Sequence, residues 1–268
     1  MVSFSAIPSD TRVPFVACEF DSSQAQQGPA LLAYRGLIIG QKMAAGSATA
    51  NSLHKVTSVA EVIVLAGEGS MLHRQAVAWY AANKSTELWI GVLADPAGVA
   101  AEGEVEVVDS NLSLPNASED GTIALYVGGV RIPVAVSDGD TVSEIATAIA
   151  AAINDAPECG FTAEAVAAAV AVTYHHVGTV GNSIDIRDSY RDGEELPDGI
   201  DLNTTLPTGG TGTPSLATLI AALGDSWYQI WTHPYTDATS LAAIEAELAS
   251  RFLPPRMIDG LAITSAAG

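Results

Sequence analysis

The side chains best suited to chemistry are five histidines (His54, His73, His175, His176 and His233), two cysteines (Cys18 and Cys159) and a large surplus of carboxylates. A metal centre needs ligands that converge, and these do not have the spacing for it. The cysteines are far apart in the chain, and His175 and His176 are neighbours in a strand-like run whose successive side chains point to opposite faces. No His-Glu-x-x-His and no Gly-x-Ser-x-Gly occurs, so neither metal-assisted nor serine-based hydrolysis has a constellation to work with. His73 reads as a residue that packs or caps its own helix, and His233, followed by Pro234, as the turn after a strand. The sequence therefore nominates no catalytic residue, no metal ligand and no cofactor-binding residue.

Glycine-rich and acidic motifs lead to the same result. Gly67-Glu-Gly69-Ser-Met-Leu72 opens like a dinucleotide fingerprint, but Leu72 stands where a third small residue must let helix and strand approach. The stretch before it, 59–65, also has helical rather than strand character. No Gly-x-x-x-x-Gly-Lys-Ser/Thr is present. Asp188-Ser-Tyr-Arg-Asp192-Gly193 begins like a calcium loop, yet Tyr190 occupies its third position and Gly199 its twelfth, where a bidentate Glu is required. Ser137-Asp-Gly-Asp140-Thr141 is a turn leading into a helix, where Asp140 favours the dipole.

The elements that would carry these residues follow from periodicity. Gly36-Leu-Ile-Ile-Gly40 is a short buried strand. Ser58, with Glu61 three residues on, predicts a capping box and a short helix. A second helix spans about 70–83, with Leu72, Ala76, Trp79 and Ala82 on one side, and 87–94 is a second buried strand. Strand, helix and strand joined by a crossover make a parallel or mixed sheet.

Beyond Asp95-Pro-Ala-Gly98 the rhythm changes. Residues 104–108 alternate, and 122–127 and 130–136 form a hairpin on Gly128-Gly129. A helix starts at Asp140-Thr141 with Val142, Ile145, Ala146, Ile149 and Ile153 along one face, and strands follow at 170–174 and 183–187. The stretch 188–213, rich in Asp, Glu, Gly, Thr and Pro, reads as linker. The α/β rhythm then returns: helix 214–224, strand 227–232, helix 240–252 capped by Thr239 or Ser240, and a strand from 260. Trp79, Trp89, Trp227 and Trp231 all fall in the α/β portion, as core.

The predicted fold class is thus α/β, a mixed sheet with helices, interrupted by an inserted β-rich α+β domain. The expected divisions are an extended N-terminal arm (1–30), a first α/β part (31–98), the acidic insert (102–201) and a second α/β part (208–268). That second part stops early, which predicts a chain cut before a C-terminal domain. Pro8, Pro14 and Pro29 exclude helix and central strand from the arm, and its alternation suits an extended segment that pairs with a neighbouring molecule. Its candidate contact residues are Phe4, Ile7, Pro8, Val13, Pro14 and Phe15.

Charge narrows the partners. The 31 acidic and 11 basic side chains give a formal charge of −20, which repels phosphate backbones and anionic membranes, so nucleic acid is excluded as a partner. Residues 102–201 alone hold 19 carboxylates against Arg131, Arg187 and Arg191, as a projecting, solvated domain would. Apolar runs are far shorter than the roughly 20 residues of a bilayer span, which argues against membrane insertion, and the first ten residues lack a signal peptide's basic and apolar regions. The two isolated cysteines suit a reducing cytoplasm.

Several segments together resemble the contractile tail sheath proteins of Mu-like phages and prophages. They are Phe4-Ser-Ala-Ile-Pro-Ser-Asp10-x-Arg12-Val-Pro14 with Glu19-Phe20-Asp21, Gly67-x-Gly69-Ser-Met-Leu-His-Arg74 with Ala82-Asn83, and Glu87-Leu-Trp89. Leu125-Tyr-Val-x-Gly-Val130, Gly178-x-x-Gly-Asn182, Gly209-Gly-x-Gly-x-Pro214 and His233-Pro-Tyr235-x-Asp237 continue the match in order. The resemblance implies a structural, non-enzymatic subunit of the virion tail, assembled in the host bacterial cytoplasm. Its implied partners are other sheath subunits, in hexameric rings stacked as a helical sleeve, together with a tail tube protein and a baseplate. The sleeve would shorten and drive the tube through the bacterial envelope. The family carries no cofactor, and its terminal segments add strands to a neighbour's sheet. A phage-derived, bacteriocin-like particle would use the same subunit. A binding module for glycan or cation is the alternative from another class, and an acidic hydrolase the third.

Overall fold

The computed structural model describes residues 34–110 and 116–264. The proposed arm, with Phe4, Ile7, Pro8, Val13, Pro14 and Phe15, lies outside the described residues, as does Cys18.

Five strands make the first sheet: β1 (Arg35–Gln41), β2 (Ser52–Val56), β3 (Glu87–Leu93), β11 (Ile230–Thr232) and β12 (Leu261–Ile263), in the order β12-β11-β1-β3-β2. β1 lies parallel to both β3 and β11, while β2 runs antiparallel to β3, so the sheet is mixed. Strand alternation splits β1 between two layers. Ile38 joins Val62, Leu72, Ala76 and Ile90 under α1 (Val59–Ala66) and α2 (Met71–Ala82). Leu37 and Ile39 face the opposite side, with Leu219, Leu223 and Trp231. Gly36 is a glycine for packing reasons, because a Cβ there would stand 2.3 Å from the ring of Trp79 on α2.

Local signals set the helix starts. Ser58 caps α1 by accepting from Glu61 N at 3.3 Å. The expected reciprocal bond is displaced by one residue, since the Glu61 carboxylate accepts from Thr57 N at 2.8 Å instead of from Ser58 N. Ser70 caps α2, and Thr141 with Glu144 forms a complete capping box on α3 (Val142–Asn154).

Between β3 and β11 the chain builds two more sheets. One has the order β10-β4-β8-β7, from β4 (Ala100–Asp109), β7 (Phe161–Val166), β8 (Ala169–Val177) and β10 (Ile200–Thr208). The other is β6-β5-β9, from β5 (Gly121–Val127), β6 (Val130–Val136) and β9 (Ile186–Asp188). Gly128 and Gly129 turn the β5–β6 hairpin with φ of 57° and 83°, as a two-residue hairpin turn demands. Ile145, Ala146, Ile149 and Ile153 of α3 are buried, in the same continuous core that reaches Leu37 and Ile39.

Three expectations need correction. The stretch 188–213 is not merely linker: β10 occupies 200–208, paired antiparallel with β4 from Ile200↔Asp109 onward. β2 and β7 were not anticipated. The last helix, α5 (Ala238–Phe252), follows α4 (Ala217–Leu223) and is capped neither by Thr239 nor by Ser240. Its cap is Asp237, whose carboxylate accepts from Ser240 N at 2.9 Å. Among the described residues no helix is long and apolar enough to cross a membrane.

Candidate functional site

The most concentrated polar chemistry lies where α2 begins. Gly67 and Gly69, with φ of 90° and 75°, thread the chain between Met43 on one side and Pro157 and His175 on the other. A Cβ on Gly69 would stand 2.7 Å from the Pro157 carbonyl and 2.9 Å from His175 Nδ1. The Gly-x-Gly pair thus serves close packing and leaves no room for a phosphate.

At this point His176 of β8 enters the core, with its ring wholly buried. Its Nε2 lies 3.0 Å from Met71 N and its Nδ1 2.8 Å from Asp95 Oδ1. A backbone amide can only donate, so Nε2 is the acceptor and the proton resides on Nδ1, directed at Asp95. Gln41 Nε2 donates to the same carboxylate oxygen at 2.6 Å and to Val177 O at 2.9 Å. Burial alone would raise the Asp95 pKa. The hydrogen bonds from His176, Gln41 and the Val177 backbone outweigh it and hold the carboxyl below its ordinary value.

An aspartate-oriented histidine is the half of a catalytic triad that activates a nucleophile. Here the atom that would take the nucleophile's proton is committed to an orphan amide of the α2 N-terminus, and withdrawing it would leave the Met71 amide without an acceptor. The pair is a structural fastener linking β8, the loop after β3, the end of β1 and α2.

The same joint draws in other segments. Arg74 donates to Gly128 O at 2.8 Å, pinning α2 to the hairpin turn. Gly69 N donates to His73 Nδ1 at 3.0 Å, the capping role expected of that histidine. Burial holds the pKa of His73 below its ordinary value despite Glu68 and Glu158, and lowers those of His175 and His233 as well. Asn182 and Gly210 clasp each other, Gly210 N donating at 2.7 Å and Asn182 Nδ2 donating back at 2.9 Å. Buried Tyr235 places its hydroxyl 4.0 Å from Met71 Sδ. His233, stacked on Tyr235, follows β11 as expected, and His54 lies apart, bonded to Ser52 Oγ at 2.8 Å. Among the described residues no three His, Cys, Asp or Glu side chains converge as a metal site would require.

The exterior offers a second kind of site. β12 is an edge strand whose outer side meets no described strand, and Leu261 and Ile263 are exposed there. Beside it in sequence, Phe252 (71% exposed), Leu253 and Met257 (73%) project from the end of α5 and the turn after it. Trp227, Phe252, Met257 and Asp259 line a cavity of about 390 Å³ in this region. The scaffold beneath is firm. Arg251 is buried, with Nε 2.7 Å from Glu247, its other nitrogens on Ser226 O and Gly224 O, and its guanidinium over Trp231. A rigid base under exposed apolar side chains, beside an edge that meets no described strand, is the kind of surface that suits protein association.

The sequence did not nominate the Asp95–His176 pair. Its one signal is that of two adjacent strand histidines one must face inward, where a buried imidazole needs partners.

No protein-family model matches the chain. It is 31% identical, over all 268 residues, to the Mu-like prophage FluMu tail sheath protein of Haemophilus influenzae, and spans about half (54%) of that relative's length. Among solved structures, the sheath tail protein of Listeria innocua aligns over 87% of this chain and 48% of that one at 14% identity, with a TM-score of 0.31. The sheath tail protein of Desulfitobacterium hafniense aligns over 92% and 52% at 12% identity, with a TM-score of 0.34. These two superpositions are too loose to bear on function.

Proposed function

Because all 268 residues align at 31% identity with about half of a Mu-like prophage tail sheath protein, we propose that this chain belongs to a structural subunit of a contractile tail sheath and catalyses no reaction. Copies assemble as hexameric rings stacked in a sleeve around a tail tube protein, anchored to a baseplate. Assembly takes place in the bacterial cytoplasm, and contraction drives the tube through the envelope. The observation that carries this reading is the alignment of all 268 residues with 54% of that relative. The open β12 edge and its exposed apolar neighbours suit a subunit joined to others by strand addition. The extended arm 1–30, with Phe4, Ile7, Pro8, Val13, Pro14 and Phe15, acts as the tether, and the acidic residues 102–201 form a domain that projects from the sleeve.

Work in such a device comes from exchanging one set of intersubunit contacts for another while each subunit moves as a rigid body. The buried fastener at α2 and the Arg251 network give the subunit that rigidity. The test is negative-stain electron microscopy of the full gene product expressed alone. Tubular polysheaths are expected, and their loss when residues 1–30 are deleted. Monodisperse particles from the intact protein would contradict the assembly role, and unchanged tubes from the deletion would contradict the tether.

A further inference from the structure

The three basic residues of the acidic stretch 102–201 gather in one place. Tyr126 of β5 stands opposite Arg131 across the hairpin and opposite Arg187 across β9. Arg131 pairs with Glu194 at 2.8 Å, and that carboxylate also accepts from Tyr126 Oη at 2.9 Å. After β9 the chain reverses at Ser189, a non-glycine residue with φ of 43°, which brings Tyr190 and Arg191 back over the strands. The result is a cavity of about 270 Å³ lined by Tyr126, Gly129, Asp185, Arg187, Tyr190 and Arg191.

Two guanidiniums and one carboxylate give this lining a net positive charge, within a stretch of 19 acidic and three basic residues. Arg187 is neutralised by Asp185 and stacks over Tyr190, its Cζ 4.7 Å from the ring centroid. Arg191 lies 5.9 Å over the Tyr126 ring, and its guanidinium meets no carboxylate among the described residues. A guanidinium resting on an aromatic face keeps its N–H edge free for a planar, bidentate acceptor, which a carboxylate matches. Tyr190 is 63% exposed and meets Tyr126 edge-on at 5.9 Å, so the cavity also has an aromatic wall for C–H faces. Asp185 can accept from a hydroxyl, and nothing stands within 4 Å of where a Gly129 side chain would begin. The volume falls just below the roughly 300–1,000 Å³ of drug-sized sites, which suits one small ring.

We propose that this cavity binds a carboxylated sugar ring of the uronic-acid type, with Arg191 holding the carboxylate, Tyr190 the ring face and Asp185 a hydroxyl. Polyanions are disfavoured by the surrounding negative field, whereas a single carboxylate is admitted by the local positive lining. The proposal stands independently of the sheath reading.

Isothermal titration calorimetry of the 268-residue chain with D-galacturonate, D-galactose and acetate tests it. Saturable binding of galacturonate is expected, with galactose and acetate each weaker by about tenfold or more, the worth of one charge-assisted hydrogen bond. Arg191→Gln should abolish the preference for galacturonate over galactose, and Tyr190→Leu should weaken galacturonate without restoring galactose. Both residues are exposed, and circular dichroism checks that the variants remain folded. Acetate binding as tightly as galacturonate would reduce the site to a bare carboxylate receptor and overturn the sugar assignment. Equal binding of galactose, no binding of galacturonate, or an unchanged preference in the Arg191 variant would each overturn it too.

Discussion

Asp95 and His176, 81 residues apart in the chain, meet at 2.8 Å, and the imidazole, itself wholly buried, accepts with its other nitrogen from the first turn of α2. The arrangement fixes the tautomer, the helix start and the approach of β8 in a single contact.

Replacing His176 by Leu leaves the buried Met71 amide without its acceptor, whereas the partly exposed Asp95 carboxylate keeps Gln41 and water. We expect a loss of about 1–3 kcal/mol in urea unfolding, the range for a buried donor left unmet. Asp95→Asn should cost clearly less, because its amide oxygen still accepts from His176 and Gln41. Equal costs for the two variants would show that the charge, and not the acceptor, is what matters.

Stability should fall with acid in two stages. His73, His175 and His233 have folded pKa values below the ordinary one, so the unfolded chain takes up their protons first. Their contribution is intact above about pH 6.5 and is lost as pH drops toward the folded values. Asp95, also depressed, contributes fully above about pH 4 and is lost below that, as pH falls through its folded value. The check is the urea midpoint measured from pH 8 to pH 3. His73→Gln should flatten the first stage, and a profile level down to pH 5 would contradict it.

Gly69→Ala and Gly129→Ala separate crowding from backbone conformation. Both glycines have positive φ, but a Cβ on Gly69 meets Pro157 O at 2.7 Å whereas one on Gly129 meets nothing within 4 Å. We expect about 1–2 kcal/mol for Gly129→Ala, from conformation alone, and roughly 1–3 kcal/mol more for Gly69→Ala, from overpacking. Thermal melts of the two variants side by side decide it.

Phe252→Ser with Met257→Ser should leave the unfolding midpoint of the subunit within about 0.5 kcal/mol of the parent, since both side chains are largely exposed. Assembly of the full gene product, followed by light scattering and electron microscopy, should fall sharply if this apolar ridge is an intersubunit surface. Tubes of normal length and yield would remove the ridge from the interface.

Much of the architecture is legible from the residues alone, for reasons visible in the structure. β1, β3 and α3 are strongly patterned because one or both faces are buried, and the Gly128-Gly129 turn admits few conformations. β10 was hidden because it lies at a sheet edge. Asp201, Asn203, Thr205 and Thr208 are exposed and Thr204 is half-buried, so polarity that reads as linker is compatible with a strand paired on one side only. β2, with Lys55 and His54 at the opposite edge of its sheet, was missed for the same reason. Asp237 was passed over as the α5 cap because Thr239 and Ser240 are also good capping types, and only the geometry shows Ser240 N donating backward. The polar joint was the least legible feature, because Gln41, Met71, Asp95 and His176 come from four separate elements. Nothing local in the sequence announces a meeting that depends on two sheets and a helix being in place. Yet the glycine-bracketed motifs that carried the family resemblance, around Gly69, Gly128, Gly178 and Gly210, all border that joint or its neighbouring clasps.

The placement of β1 between β3 and β11 has a consequence for biosynthesis. Its first neighbour emerges from the ribosome about fifty residues after it, but the second, aligned at Gly36↔Ile230, does so only after the whole 100–208 excursion has been made. At roughly 5–20 residues per second, the nascent strand waits many seconds with one row of amides and carbonyls unsealed. Folding of this chain should therefore be slow and sensitive to crowding by its own siblings on a polysome, and a chaperone that shields the nascent strand would raise the yield of folded protein.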